Sequence, residues 1–172
     1  MFALDIGCGE NPEPALRLAG QGYIVAAVEN NPHVLREYRR RLLDGGGRDD
    51  ASRITPIIAD ARFLPFKDSS FDLIISYYAF DWISILGDAE DLELASREIT
   101  RSLKEGCTLI AHEYWDQGRV SREKLLRSAG LAVEVVEDDE IILIARKVGE
   151  VGDRMELSRG RKENELIHIY RR

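Results

Sequence analysis

The sequence predicts an α/β fold: a doubly wound, mostly parallel seven-stranded sheet with a C-terminal antiparallel strand, followed by a short C-terminal β extension. Three observations predict it. Short apolar runs alternate with amphipathic helical segments from residue 3 to residue 130, the pattern of strands joined by right-handed crossovers. The first run stops in a glycine turn that leads straight into helix punctuation. The last two runs are separated only by Glu137-Asp138-Asp139-Glu140. So short a link holds no crossover helix, so these two strands are antiparallel to each other.

In chain order, residues 3–6 read as a buried strand. Gly7 and Gly9 remove two Cβ atoms where the chain bends and something can approach its backbone. Asn11-Pro12 reads as a helix start, Asn11 as N-cap and Pro12 at the first helical position. Residues 14–18 continue that helix, and Gly20 closes it. Residues 23–28 are a second strand, ended by Glu29-Asn30. Asn31-Pro32 repeats the start signal, and Val34, Leu35, Tyr38 and Leu42 recur at helical spacing. Arg36, Arg39, Arg40 and Arg41 lie between them, most simply as a solvated face. Gly45-Gly46-Gly47 ends the helix.

Residues 54–59 form a third strand, followed by Asp60-Ala61 and an irregular stretch with Pro65. Lys67-Asp68-Ser69-Ser70 is a turn cluster. Residues 71–77 are nearly all apolar, as a central parallel strand covered on both faces requires. The segment 76–82 then reads as an aromatic loop. Leu92, Ala95, Ile99 and Leu103 mark one face of a helix over residues 88–103, with Gly106 after its end. Residues 107–111 are a fifth strand, and residues 122–129 a helix closed by Gly130. Residues 131–136 and 141–147 are the antiparallel pair. Residues 1–148 make one domain. Residues 149–172 are an extension in which 155–157 and 165–170 read as a β-hairpin around Gly160.

Composition narrows the function classes. At 172 residues, 44% hydrophobic and 32% charged, the chain suits one globular domain with a real core. No apolar run approaches the length of a bilayer span, and Met1-Phe2 leads directly into the first strand, so neither membrane nor signal peptide is expected. The two cysteines, Cys8 and Cys107, are not a metal-type pair, and no other Cys/His/Asp cluster suggests a metal. A reduced, cytoplasmic protein is the expectation. The net charge of −7 argues against a whole-surface nucleic-acid binder and leaves a local basic patch open.

Strand, glycine turn and helix N-terminus together make a cradle for a ligand with an adenosine or phosphate part. Pro12 occupies the place of the third glycine in the dinucleotide fingerprint, which disfavours pyrophosphate. Glu29, 20 residues past Gly9, fits two roles: accepting from ribose hydroxyls, or a carboxylate ahead of a helix N-terminus. His112 ends the fifth strand and is the best-placed titratable residue for a general base.

The stretch Leu4-Asp5-Ile6-Gly7-Cys8-Gly9 resembles the first motif of class I S-adenosylmethionine-dependent methyltransferases, a strand ending Leu-Asp-x-Gly-Cys-Gly. The resemblance extends to about residue 147. It implies a Rossmann-like fold, S-adenosyl-L-methionine as cofactor, S-adenosyl-L-homocysteine as product, and in-line methyl transfer to an unidentified acceptor. The implied cofactor-binding residues are Asp5, Gly7, Cys8, Gly9, Glu29, Asn30, Asp60, Ala61, Ser76 and Tyr77. Asp60 would take the adenine amino group, or serve only as an N-cap for the next turn. Tyr77 and Asp81, beside the departing methyl group, join His112 as catalytic candidates. The aromatic segment lacks the Asn/Asp-Pro-Pro-Tyr of family members that methylate exocyclic amino nitrogens of bases or glutamine. Family members usually carry helices before the first strand that cap the cofactor. Here the sequence starts at that strand, which assigns the cap to a partner subunit, a second copy in a homodimer or a loop, or leaves the site open to a large substrate. Two other readings remain: a module that binds the cofactor without transfer, and a NAD-dependent oxidoreductase. Pro12 and the terminal antiparallel pair speak against the latter.

Overall fold

The structure, a computed structural model, describes residues 1–45, 48–113, 119–137 and 141–148. Seven strands build one sheet: β1 (Phe2–Ile6), β2 (Ile24–Glu29), β3 (Ile54–Ile58), β4 (Phe71–Tyr77), β5 (Leu103–Glu113), β6 (Leu131–Glu137) and β7 (Ile141–Lys147). Their order is β3-β2-β1-β4-β5-β7-β6. The pairs β1·β2, β1·β4, β2·β3 and β4·β5 are parallel. β7 runs antiparallel to both of its neighbours, β5 and β6. The predicted class is what the chain adopts, with the antiparallel strand inside the far half of the sheet. The hairpin expected within 149–172 lies outside the described residues.

Period-two alternation along the strands divides the core into two layers. Ala3, Val25, Ala27, Leu73 and Ile75 face one way, against Ala15 and Leu18 of α1 (Glu13–Gly20) and Leu35, Tyr38 and Leu42 of α2 (Pro32–Gly45). Leu4, Ile6, Ile74, Leu109 and Ala111 face the other way. They meet Phe80 of α4 (Ala79–Leu86), Leu92 and Ile99 of α5 (Ala89–Ser102) and Leu126 of α6 (Arg119–Ser128). A short helix α3 (Arg48–Ala51) precedes β3.

Several boundaries differ from the expectation. α1 starts at Glu13 with Pro12 at the N-cap, and Asn11 Oδ1 accepts from the Glu13 N–H at 3.2 Å. Asn31 behaves as expected, its Oδ1 accepting from the His33 N–H at 2.9 Å. Asp88 caps α5 in a reciprocal box with Asp91. α5 ends at Ser102, and β5 begins at once, at Leu103. Gly106 (φ +72) is a bulge inside that strand. There one residue of β4, Asp72 between Phe71 and Leu73, opposes four of β5, residues 104–107 between Leu103 and Thr108. A bulge glycine and a helix-stop glycine read alike in sequence.

The chain runs outward from β1 through β2 to β3, then returns to β4 on the other side of β1. At that reversal the connections after β1 and β4 lead to helices on opposite faces, which opens a crevice beyond the strand ends.

Candidate functional site

The crevice is a cavity of about 770 Å³ at the carboxyl ends of β1 to β4, within the usual range of small-molecule sites. Nine sequence candidates meet in its wall: Asp5, Gly7, Cys8, Gly9, Glu29, Asn30, Asp60, Ala61 and Tyr77. Ser76 is not in that wall. It is fully buried and pairs with Ile6 and Ala111 inside the sheet.

Asp5 is 1% exposed, and its Oδ2 has no hydrogen-bond partner among the described residues. Burial, and then the nearby Glu29 charge, push its carboxyl up to about 7. An orphaned acid oxygen in a cavity wall is the mark of a site that awaits a donor or a cation. The glycine turn above it has two different faces. A Cβ on Gly7 would lie 2.6 Å from Ala79 Cβ, whereas one on Gly9 would meet nothing within 4 Å. Gly7 thus seats the turn against α4, and Gly9 leaves its backbone open to the cavity. The Cys8 N–H donates to Val28 O at 3.0 Å and pins the turn to β2.

Glu29 is held by backbone donors on both sides. Its Oε2 accepts from the Gly9 N–H at 3.3 Å and its Oε1 from the Asn31 N–H at 2.9 Å. It therefore has the helix-start geometry and also faces the cavity. Asp60 is gripped by Arg62, whose Nη2 lies 2.6 Å from Oδ2 and whose backbone N–H donates to Oδ1 at 2.9 Å. The guanidinium holds the Asp60 carboxyl below its usual range. The other arm of Arg62 reaches Asp91 Oδ1, within the capping box of α5. Arg62 was not singled out from sequence, because an arginine two residues past an acidic strand end looks like any solvated charge.

Tyr77 pairs with His112 across β4 and β5, and the two rings stack at 4.5 Å with planes 14° apart. The Tyr78 N–H donates to His112 O at 2.9 Å. Tyr78 itself takes a left-handed turn (φ 59) that starts α4. The aromatic stretch read as a loop is therefore mostly helix. This corrects the placement of two catalytic candidates. His112 is 1% exposed, behind Tyr77 and outside the cavity wall. Asp81 is turned by the helical twist away from the cavity and onto Arg122, with Oδ1 3.1 Å from Nη2. Glu113 completes a buried cluster, its Oε2 3.2 Å from Arg122 Nε. Burial raises the Glu113 carboxyl, with Arg122 opposing and Asp81 adding to the rise.

The arginine-rich face of α2 is largely neutralised locally. Arg40 pairs with Glu37 and Asp44, Arg41 with Glu37 and Glu10, and Arg39 donates to Pro56 O. Among the described residues, no group of three or more His, Cys, Asp or Glu side chains is placed to hold a metal ion. No described helix is long and apolar enough to cross a membrane.

The family model described as "Methyltransferase domain" matches residues 4–111, a span that contains the turn and most of the wall. The chain belongs to the methyltransferase-domain family. Its class is the S-adenosylmethionine-dependent one, and S-adenosylmethionine is the family's cofactor. The chain is 27% identical over 162 residues to "Malonyl-[acyl-carrier protein] O-methyltransferase" of Geobacter sulfurreducens, covering 80% of this chain and 58% of that one. It is 34% identical over 113 residues to "Ubiquinone/menaquinone biosynthesis C-methyltransferase UbiE" of Cellvibrio japonicus, covering 64% and 42%. The chain thus spans about half the length of these curated relatives. A solved S-adenosylmethionine-dependent methyltransferase of Methanosarcina mazei shares the fold, with TM-score 0.68, 20% identity, and 87% and 93% coverage. This methyltransferase domain fits its family's cofactor on three points: the cavity volume, the open Gly9 backbone and the orphaned Asp5 oxygen suited to an ammonium.

Proposed function

We propose that this domain transfers a methyl group from S-adenosylmethionine to an acceptor by in-line displacement. One observation carries the reading. A single cavity at the switch point gathers a buried, unpartnered Asp5 oxygen, the open Gly9 backbone, and the Glu29 and Asp60 carboxylates from successive strand ends. The bound cofactor supplies a methyl group already activated on a sulfonium.

The chain's own residues then bind, orient and exclude water. Asp5 offers a negative oxygen to the methionyl ammonium. Glu29 offers its carboxylate to the ribose hydroxyls. Asp60 takes the adenine amino group beside the Ala61 N–H, and Arg62 keeps that carboxylate ionised. Tyr77 and Tyr78 wall the side nearest α4. His112 acts through Tyr77, by stacking under it, and is a positioning residue.

Relatives named for O- and for C-methylation support methyl transfer and select no acceptor atom. Binding without transfer is the second reading. The withdrawal of Asp81 and His112 from the wall favours it, because it removes two proton-transfer candidates. The test is incubation with methyl-tritiated S-adenosylmethionine and fractionated cell extract. Methyl transfer predicts label in an acceptor fraction, reduced by Glu29→Ala. Intact cofactor binding with no labelled acceptor in any fraction selects the second reading.

A further inference from the structure

We infer that the methyl acceptor of this domain presents an alkyl or aryl portion to an apolar lip formed by α4 at the cavity mouth. The inference rests on the methyltransferase reading above and adds the substrate class. Helix α4 has the sequence Ala-Phe-Asp-Trp-Ile-Ser-Ile-Leu. A surface helix ordinarily turns a polar face to water. Here the exposed face holds Trp82 at 61%, Ile85 at 70% and Leu86 at 79% exposure. Positions 82, 85 and 86 are neighbours at helical spacing. The helix's one charge, Asp81, is turned inward onto Arg122. No charge therefore remains on the outer face.

This patch is continuous with the site. Trp82, Ile83 and Leu86 line the cavity itself, and Ile85 extends the same surface outward. The cavity is divided by polarity. Asp5, Glu29, Asp60 and the open Gly9 backbone come from the ends of β1 to β3, whereas α4 supplies Trp82, Ile83 and Leu86, with Asp91 of α5 beside its C-terminus. The cofactor's ammonium and hydroxyls match the first side. The α4 side is left to the second substrate, and an apolar surface there gains most from burying an apolar partner.

Two other occupants fit less well. The exposed face of an eight-residue helix falls short of the about 800 Å² per partner that a stable dimer buries. The segment after Val148 continues from the end of β7 at Lys147, which pairs with Leu131. Glu113, at the α4 end, pairs instead with Ile141 at the start of β7.

The test is calorimetric titration of the full chain with S-adenosylhomocysteine and two analogues of S-adenosylmethionine. In these analogues nitrogen replaces sulfur and carries a methyl or an octyl group. The octyl analogue should bind at least tenfold tighter than the methyl one. An Ile85→Ser/Leu86→Ser variant should lose most of that gain, and Ile85→Met should keep it. Circular dichroism melting confirms that each variant is folded.

Three results overturn the inference alone, with S-adenosylhomocysteine still bound. They are an octyl analogue no tighter than the methyl one, a gain that survives in the double serine variant, and a lip already covered. Iodide quenching of Trp82 in a Trp115→Phe background reads the last of these. A Trp82 closed to iodide in the free protein means a second copy or another segment occupies the lip. Failure of the wild-type chain to bind S-adenosylhomocysteine is a different result, and it overturns the site reading together with this inference.

Discussion

Gly7 is glycine for two independent reasons: a φ of +65 and a missing Cβ that would strike Ala79 Cβ at 2.6 Å. Gly7→Ala should lower stability by about 1–3 kcal/mol, the usual scale for a strained non-glycine residue, measured by urea unfolding. Gly9→Ala has the backbone strain without the clash, so it should cost less stability. Asp5 makes a prediction about pH. Its folded carboxyl titrates near 7 against an ordinary value of 3.8, so the folded state binds that proton more tightly. The Asp5 contribution to stability is full below pH 4 and is lost as pH rises to about 7. Ligand binding runs the other way, since ionised Asp5 attracts the ammonium. Affinity for S-adenosylhomocysteine should rise with pH towards 7, by up to about tenfold per unit, and level off above it. Asp5→Asn should flatten that profile. Calorimetric titration from pH 5.5 to 8 checks both outcomes. Glu29→Ala should weaken binding by about 1.5–3 kcal/mol, the scale of hydrogen bonds to a charged group. Asp60→Ala should weaken it less, because the neighbouring Ala61 N–H survives. A larger loss at Asp60 than at Glu29 would reverse that ranking.

Helix α4 is held by charge as well as by Phe80. Asp81, Arg122 and Glu113 join α4, α6 and β5 in a cluster with exposures of 9%, 1% and 1%. Arg122→Met leaves buried acids uncompensated and should cost about 3–5 kcal/mol. Replacing all three residues by apolar ones of similar volume should cost much less, which denaturant unfolding of both variants would show. None of this cluster was legible in the sequence. Its members lie far apart along the chain, and only the left-handed Tyr78 turn, which starts a helix where an aromatic loop was expected, points Asp81 at Arg122. The strand ends were legible, because apolar runs stopped by glycine, Glu29-Asn30 and Asp60 mark where a parallel sheet presents its ligands. The β5 start and the true role of Gly106 were not, since a bulge depends on the partner strand. Tertiary pairing, such as Arg62 with Asp60 and Asp91, leaves no periodic trace either.

At the scale of the whole molecule, sheet order decides the site. β1 lies between β2 and β4, so the crevice opens above it and collects the candidates from four strand ends. β7 runs antiparallel between β5 and β6, which agrees with the family membership and departs from the nicotinamide-binding pattern. Because ligand binds the folded state, saturation should raise stability by about 2.7 kcal/mol at a hundredfold excess over Kd. The most direct test of the central claim, that this cavity holds the methyl donor, is calorimetric titration with S-adenosylhomocysteine, with NAD titrated in parallel. The expected result is one-to-one binding of S-adenosylhomocysteine, accompanied by a higher melting temperature, and no binding of NAD. Absence of heat and of any melting shift with millimolar S-adenosylhomocysteine, or tight binding of NAD instead, would contradict it.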